Sequence, residues 1–191
     1  MSFARAVFYW AVVCPGVLAA FWERHRRARG CLDFSGFNMA FALLPGVPGN
    51  WIRKEYYRRS LKKCGRNVQF KFGSFCQYYA AEFGDNVMFG YFNSIGEVQI
   101  GSDVVVGGFV NFLSGLNQHG HKLGPVPFWR QPGDGRRKII IGSNVWIGSN
   151  ACIAASLGSS VVVAAGSVVI REVESCVIVG GNPARKIGEV S

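Results

Sequence analysis

Two hydrophobic patterns divide the chain. From Phe83 onward an aliphatic residue or phenylalanine followed by a small residue returns about every six positions. It appears as Phe83-Gly84, Phe89-Gly90, Ile95-Gly96, Ile100-Gly101 and Val106-Gly107. After an interruption it resumes as Ile141-Gly142, Ile147-Gly148, Ile153-Ala154, Leu157-Gly158 and Val163-Ala164, with shortened steps to Ile100 and Leu157. A six-residue period predicts a parallel β-helix: each unit supplies one short strand and one corner, and three units close a triangular coil. The aliphatic residue points into the narrow prism. Small residues with Asn or Asp, as in Gly84-Asp85-Asn86 and Gly142-Ser143-Asn144, permit tight corners. Stacked coils then bury one continuous apolar column. The end coils expose strand edges, and the flanking segments are expected to cover them.

The first third reads as helical. Val7 to Trp22 is an unbroken run of 16 apolar residues containing Pro15-Gly16. The proline predicts a break in a helix that otherwise covers Phe3 to Arg29. Phe37 to Leu44 forms a second apolar stretch ending at Pro45-Gly46. Asn50 is placed to cap a helix over Trp51 to Lys63, where Trp51, Ile52, Tyr56 and Leu61 stand among six basic residues. The expected organisation is a helical, basic, membrane-associating region over 1–66 and a β-helix domain over 67–191.

Charge sharpens that division. The net charge of +10 lies entirely in residues 1–71, which hold thirteen Arg and Lys against Glu23, Asp33 and Glu55; the remainder is neutral. Such asymmetry points to an anionic surface. Arg24, Arg26, Arg27 and Arg29 directly follow the apolar run, unlike a cleaved leader, whose basic residues come first. A segment resting on or dipping into the cytoplasmic face of a membrane fits this order, as does a hydrophobic hairpin packed on the first coil. Basic residues alternating with long apolar runs do not make a nucleic-acid face. Six cysteines without CxxC spacing are expected to be free thiols. Cys76, Cys152 and Cys176 are expected in the core.

The interruption of the repeat, 116–138, carries the candidate chemistry. It holds Asn117, Gln118, His119, His121, Trp129, Arg130 and the triplet Arg136-Arg137-Lys138. A histidine in a cleft can take a proton from a hydroxyl at neutral pH. Two histidines in the body are too few for a three-histidine zinc site, so no metal is expected.

Three motifs carry a family resemblance: Gly142-Ser-Asn-Val-Trp-Ile-Gly148, Ala164-Ala-Gly-Ser-Val-Val169 and Val179-Gly-Gly-Asn-Pro-Ala184. They resemble the hexapeptide-repeat acetyltransferases of the maltose, galactoside and exopolysaccharide type, over roughly 72–186. Leu43-Leu-Pro-Gly46, the basic helix and the Gln118-His119 pair resemble a polysaccharide (colanic-acid-type) O-acetyltransferase subgroup. The resemblance implies a left-handed β-helix, a homotrimer, acetyl-CoA as donor and a saccharide acceptor, sugar or lipid-linked. It implies His119 as general base, with His121 second. It places Trp146, Gly148, Ala165, Gly166, Arg171, Asn182 and Arg185 along acetyl-CoA. Asn93, Asn117, Gln118 and Arg130 become candidates for acceptor binding. Two departures stand out: Lys122-Leu123 follows His121 where acidic residues are usual, and Ile170 stands where a threonine is usual. A non-catalytic scaffold on the same fold, or acyl transfer to an antibiotic or amino sugar, is the alternative.

Overall fold

A computed structural model describes residues 3–114, 120, 122–133 and 135–190. Three helices lead into a six-coil parallel β-solenoid. They are α1 (Phe3–Ala28), α2 (Phe37–Ala42) and α3 (Gly46–Ser60). Coil one holds β1 (Lys63–Cys64), β2 (Gln69–Phe70) and β3 (Phe75–Cys76). Coil two holds β4 (Glu82–Phe83), β5 (Val87–Phe89) and β6 (Ser94–Ile95). Coil three holds β7 (Val98–Ile100), β8 (Val104–Val106) and β9 (Asn111–Phe112). After the inserted loop, coil four holds β10 (Ile139–Ile141), β11 (Val145–Ile147) and β12 (Cys152–Ile153). Coil five enters at Leu157 and holds β13 (Val162–Val163) and β14 (Val168–Val169). Coil six enters at Val173, continues in β15 (Val177–Gly181) and folds back as β16 (Ala184–Glu189).

Register stacks the inward residues in three columns. One runs Cys64, Phe83, Ile100, Ile141, Leu157 and Val173. The second runs Phe70, Phe89, Val106, Ile147, Val163 and Val179. The third runs Cys76, Ile95, Phe112, Ile153 and Val169. All ten repeat residues read from the sequence are buried in this core. The prism tapers. Met88 pairs with Gln69, 19 positions earlier, whereas Val162 pairs with Trp146, only 16 earlier. The wide end is filled by Phe70, Phe83 and Phe89, whose rings lie 5.1–5.8 Å apart. The narrow end is filled by Ile and Val.

The corners follow from chain chemistry. Asn67, Asn86, Asp103, Asn144, Ser160 and Cys176 occupy the left-handed region at one corner of successive coils, a conformation Asn and Asp tolerate best. Their side chains ladder: Asn67 donates to Asn86, Asn86 to Asp103 and Asn144 to Ser160. Cys176 therefore sits exposed on a corner, not in the core as expected, and Cys152 is half-buried; Cys76 is buried. All six cysteines are free thiols. Coils stack so closely that a Cβ on Gly84 would lie 2.7 Å from Gly101 carbonyl carbon.

The helices close the open edge of coil one. Arg53 is fully buried. It donates to the carbonyls of Phe70, Phe41 and Leu44 at 2.9, 2.8 and 2.7 Å and to Asn50 Oδ1 at 2.5 Å. Asn38 donates to Cys76 O, Cys76 N–H donates to Tyr57 Oη, and Gly73 N–H donates to Ala42 O. The edge groups are thus satisfied by the cap. Buried Glu23 joins α1 to the same assembly, accepting from Ser35 Oγ at 2.6 Å, from Tyr56 Oη at 3.0 Å and from Tyr79 Oη.

Three local expectations are corrected. First, α1 runs unbroken through Pro15; Pro15 and Ala11, whose carbonyl it leaves unpaired, both lie on the exposed side. Gly16 is instead the contact point with α3: a Cβ there would meet Ile52 O at 2.9 Å. Second, α3 begins at Gly46, so Asn50 is an interior residue and not a cap. Pro48 is accepted because first-turn N–H groups have no intrahelical partner. Third, within the region 1–66 expected to associate with a membrane, Ile52, Tyr56 and Leu61 are instead buried in the body.

Replacing Arg53 with Met removes the donor from at least three buried carbonyls. The expected loss of stability is about 3 kcal/mol, checked by urea denaturation at equilibrium; a midpoint unchanged from wild type would show that the cap does not need this residue.

Candidate active site

One corner of the prism, between the third and first faces, carries the inserted loop. The chain leaves there after β9 and returns at β10. Val105 pairs with Trp146, 41 positions on, where Met88 pairs with Val105, 17 positions on; the difference of 24 residues is the inserted loop. Its base is fastened. Arg137 N–H donates to Ser114 O at 2.8 Å. Lys138 Nζ reaches Glu82 at 2.8 Å, a carboxylate that also accepts from Lys62 at 2.8 Å. Hydrogen bonds from Lys138 and Lys62 hold the Glu82 carboxyl below the usual carboxylate range.

Within the loop, Gln131 acts as a clasp that sequence reasoning missed. Its Oε1 accepts from Lys122 N–H at 3.0 Å, and its Nε2 donates to Lys122 O at 2.8 Å and Val126 O at 2.7 Å. A glutamine amide copies the donor–acceptor pattern of a strand, which no composition signal reveals. A 3₁₀ turn, Phe128–Arg130, immediately precedes Gln131. Arg130 lies 4.5 Å from the centroid of the exposed Trp129 ring, so its guanidinium is held at the surface. His119, His121, Asn117 and Gln118 lie outside the described residues.

The other candidates fall into two groups. Trp146 faces outward from β11, in register with exposed Val105 and half-buried Val162. Gly148, Ala165 and Gly166 flank it at the next corner, where a Cβ on Gly148 would lie 2.5 Å from Ala165 N and Gly166 takes φ +71°. The second group is basic. Arg171 and Arg185 line one cavity of about 310 Å³ with Lys186, Glu172 and Glu174. Lys186, which sequence reasoning missed, pairs with Glu189 at 2.8 Å and Glu174 at 3.6 Å; the basic doublet after Pro183 was its only signal. Asn182 is exposed in the β15–β16 turn, joined to Pro183 by a cis peptide. Arg137 pairs with Glu172 at 3.4 Å, tying the loop base to the corner beside Arg171. Trp146 is not among the residues lining the Arg171–Arg185 cavity.

Asn93 is corrected. It is fully buried; its Nδ2 donates to Gly90 O and its Oδ1 accepts from Val110 N–H. Its amide builds a corner, so it is not presented to an acceptor. Burial pushes the thiol of Cys64 up to about 12 and raises those of Cys76 and Cys152, which makes them poor nucleophiles at neutral pH. Among the described residues, no group of three or more His, Cys, Asp or Glu side chains is arranged to hold a metal.

A family model described as the hexapeptide repeat of succinyl-transferase matches residues 138–171. A Saccharomyces cerevisiae protein assigned as an acetyltransferase is 30% identical over 146 residues, covering 73% of this chain and 71% of that one. The chain belongs to the hexapeptide-repeat acetyltransferases. A chloramphenicol acetyltransferase of Klebsiella aerogenes is 29% identical over 160 residues, covering 72% of this chain and 76% of that one. In fold, a galactoside acetyltransferase in complex with coenzyme A superposes with a TM-score of 0.69 at 22% identity, over 88% of this chain and 82% of that chain. The solenoid is thus the left-handed β-helix of this family.

Replacing Gln131 with Leu removes all three clasp contacts. Limited proteolysis is expected to cut between 120 and 133 at least about tenfold faster while global unfolding is unchanged, because the contacts are local and exposed. Equal cleavage rates would refute the clasp.

Proposed function

We propose that this acetyltransferase moves an acetyl group from acetyl-CoA to a hydroxyl of a saccharide used in cell-surface polysaccharide or glycolipid synthesis. The observation carrying this reading is the inserted loop. The sequence that interrupts the repeat carries Asn117, Gln118 and His119; its described part is closed by the Gln131 clasp, and its base is tied by Arg137–Glu172 to the corner of Arg171. His119 takes the proton from the sugar hydroxyl as that oxygen attacks the thioester carbonyl. The tetrahedral oxyanion collapses, the carbon–sulfur bond breaks, and CoA leaves as thiolate. The transfer is direct and needs no cysteine nucleophile.

The donor is expected on the surface bearing Trp146, Gly148, Ala165 and Gly166, with its phosphates on Arg171 and Arg185, since guanidinium pairs well with phosphate. These two groups lie on different parts of one chain, which supports a groove completed by a neighbouring subunit. The outward stripe of Met88, Val105, Trp146, Val162 and Ile178 on the second face supports a homotrimer that covers it. Galactoside and coenzyme A, named for the structural neighbour, support the saccharide acceptor and the donor. The likeness to a chloramphenicol acetyltransferase supports a second reading, in which the acceptor is a small non-sugar alcohol.

The helix α1 supports a peripheral membrane site. Val7, Trp10, Leu18, Phe21 and Trp22 are 52–63% exposed. They share one apolar side of the helix with exposed Ala11 and Cys14, and Arg24 to Arg29 follow. Residues 6–28 are long and apolar enough to cross a membrane by length and composition. Because the opposite side packs on α3 and buries Glu23, lying on the cytoplasmic surface is the favoured pose.

With acetyl-CoA and a panel of nucleotide sugars, lipid-linked sugars and chloramphenicol, acceptor-dependent release of CoA thiol is expected. His119→Ala should lower it by roughly two to four orders of magnitude with an unchanged thermal midpoint; near-normal turnover would remove His119 as the base. In co-sedimentation, anionic vesicles should retain the protein and neutral ones should not. Replacing Trp10, Leu18 and Phe21 together with Ser should weaken retention at least about tenfold. Equal retention would rule out α1 as the contact.

A further inference from the structure

A second cavity lies where the helical cap meets the base of the inserted loop. It has a volume of about 460 Å³ and is lined by Arg27, Leu32, Lys62, Tyr78, Glu97 and Arg136, among others. Three cations face one carboxylate. They come from separate segments: the end of α1, the residue before β1, and the returning limb of the loop. Glu82 pairs with Lys62 and also with Lys138, and Asp33 pairs with Arg136, so these two carboxylates and Glu97 meet four cations, Arg27 included, and one positive charge is left over.

The two guanidinium groups are held in place. Arg136 lies 4.5 Å from the Tyr78 ring centroid and 3.3 Å from Asp33. Arg27 Nη1 donates to Ser60 O at 3.2 Å. Each keeps further N–H groups for a ligand, in the fork geometry that suits phosphate oxygens. The remaining wall suits a sugar. The Glu97 carboxylate accepts no hydrogen bond among the described residues and can take them from hydroxyls, and Tyr78, Leu32 and Ala80 offer apolar surface. Position connects the cavity to the chemistry: Glu97 N–H donates to Ser114 Oγ at 2.7 Å, where the loop departs. The α1 wall also carries the basic end of the exposed apolar stripe.

We propose that this cavity binds a glycosyl phosphate, with the phosphate on Arg27, Lys62 and Arg136 and sugar hydroxyls on Glu97. The acceptor would therefore be a phosphorylated saccharide and not a free sugar. This rests on the saccharide reading above but concerns binding alone, so it is measured without donor.

Calorimetric titration of the full chain with a hexose 1-phosphate is expected to give affinity at least about tenfold tighter than the free hexose, the effect of charge-assisted contacts. Arg136→Gln and Lys62→Gln should each weaken it about tenfold. Arg66→Gln, the same charge change on an exposed residue paired with Asp85 outside the cavity, should leave it unchanged. A hexose 1-phosphate that binds no tighter than hexose, or that binds Arg136→Gln as well as wild type, would overturn the assignment. Competition by a nucleoside diphosphate hexose or by a polyprenyl-phosphate hexose in detergent supports the site and identifies the phosphate's source; competition by neither overturns it. Glycosyl phosphate binding without acceptor-dependent thiol release would sink the acyl-transfer reading and leave this site standing, and the reverse result would do the opposite.

Discussion

The stacking of inward side chains is the constraint from which the rest of the molecule follows. Coils sit so close that Gly84, Gly101, Gly142 and Gly158 have no room for a Cβ, and inward side chains stack directly from coil to coil. An interior packed this way is filled by side chains. Function is displaced to the outside: to one broken corner, to an outward apolar face, and to the two ends. The taper from Phe to Val as the coil shortens from 19 to 16 residues shows side-chain volume and backbone perimeter changing together.

The cap is the second consequence. A parallel β-helix cannot end without leaving strand groups unpaired. Here Arg53, Asn38 and Tyr57 satisfy them from buried positions. Much of what reads as a basic arm is therefore structural: Arg53 is interior, and Glu55 binds Arg58 and Arg59. Basic residues from the end of α1 and from the loop base meet at the cavity lined by Arg27, Lys62 and Arg136. The proposed membrane contact and the proposed acceptor site thus adjoin the base of the inserted loop.

The core was legible because hexad periodicity is local: each inward Ile or Phe and its following glycine announce themselves within six residues. Features set by contacts distant in sequence were not. Pro15 predicted a break, but the contact of Gly16 with Ile52 keeps α1 whole. Asn50 resembled a cap and instead serves Arg53. Asn93 resembled a ligand residue and is a buried corner brace. Within the candidate site, Arg171 and Arg185 were legible through motif spacing, and the structure places them in one cavity. Gln131 and Lys186 were not singled out, because an amide clasp carries no composition signal and Lys186 shows only as a second basic residue after Pro183; Arg136 was named only within a basic triplet, since its partner Asp33 lies 103 residues away.

The central claim is that an acetyl group passes from a thioester to a sugar oxygen. The most direct measurement follows the carbonyl carbon of 13C-labelled acetyl-CoA by NMR after incubation with the full chain and a glycosyl phosphate acceptor. The account predicts a base-labile ester carbonyl coupled to a proton on a sugar carbon. Label remaining in acetyl-CoA, or appearing only as free acetate or as an amide, would contradict it.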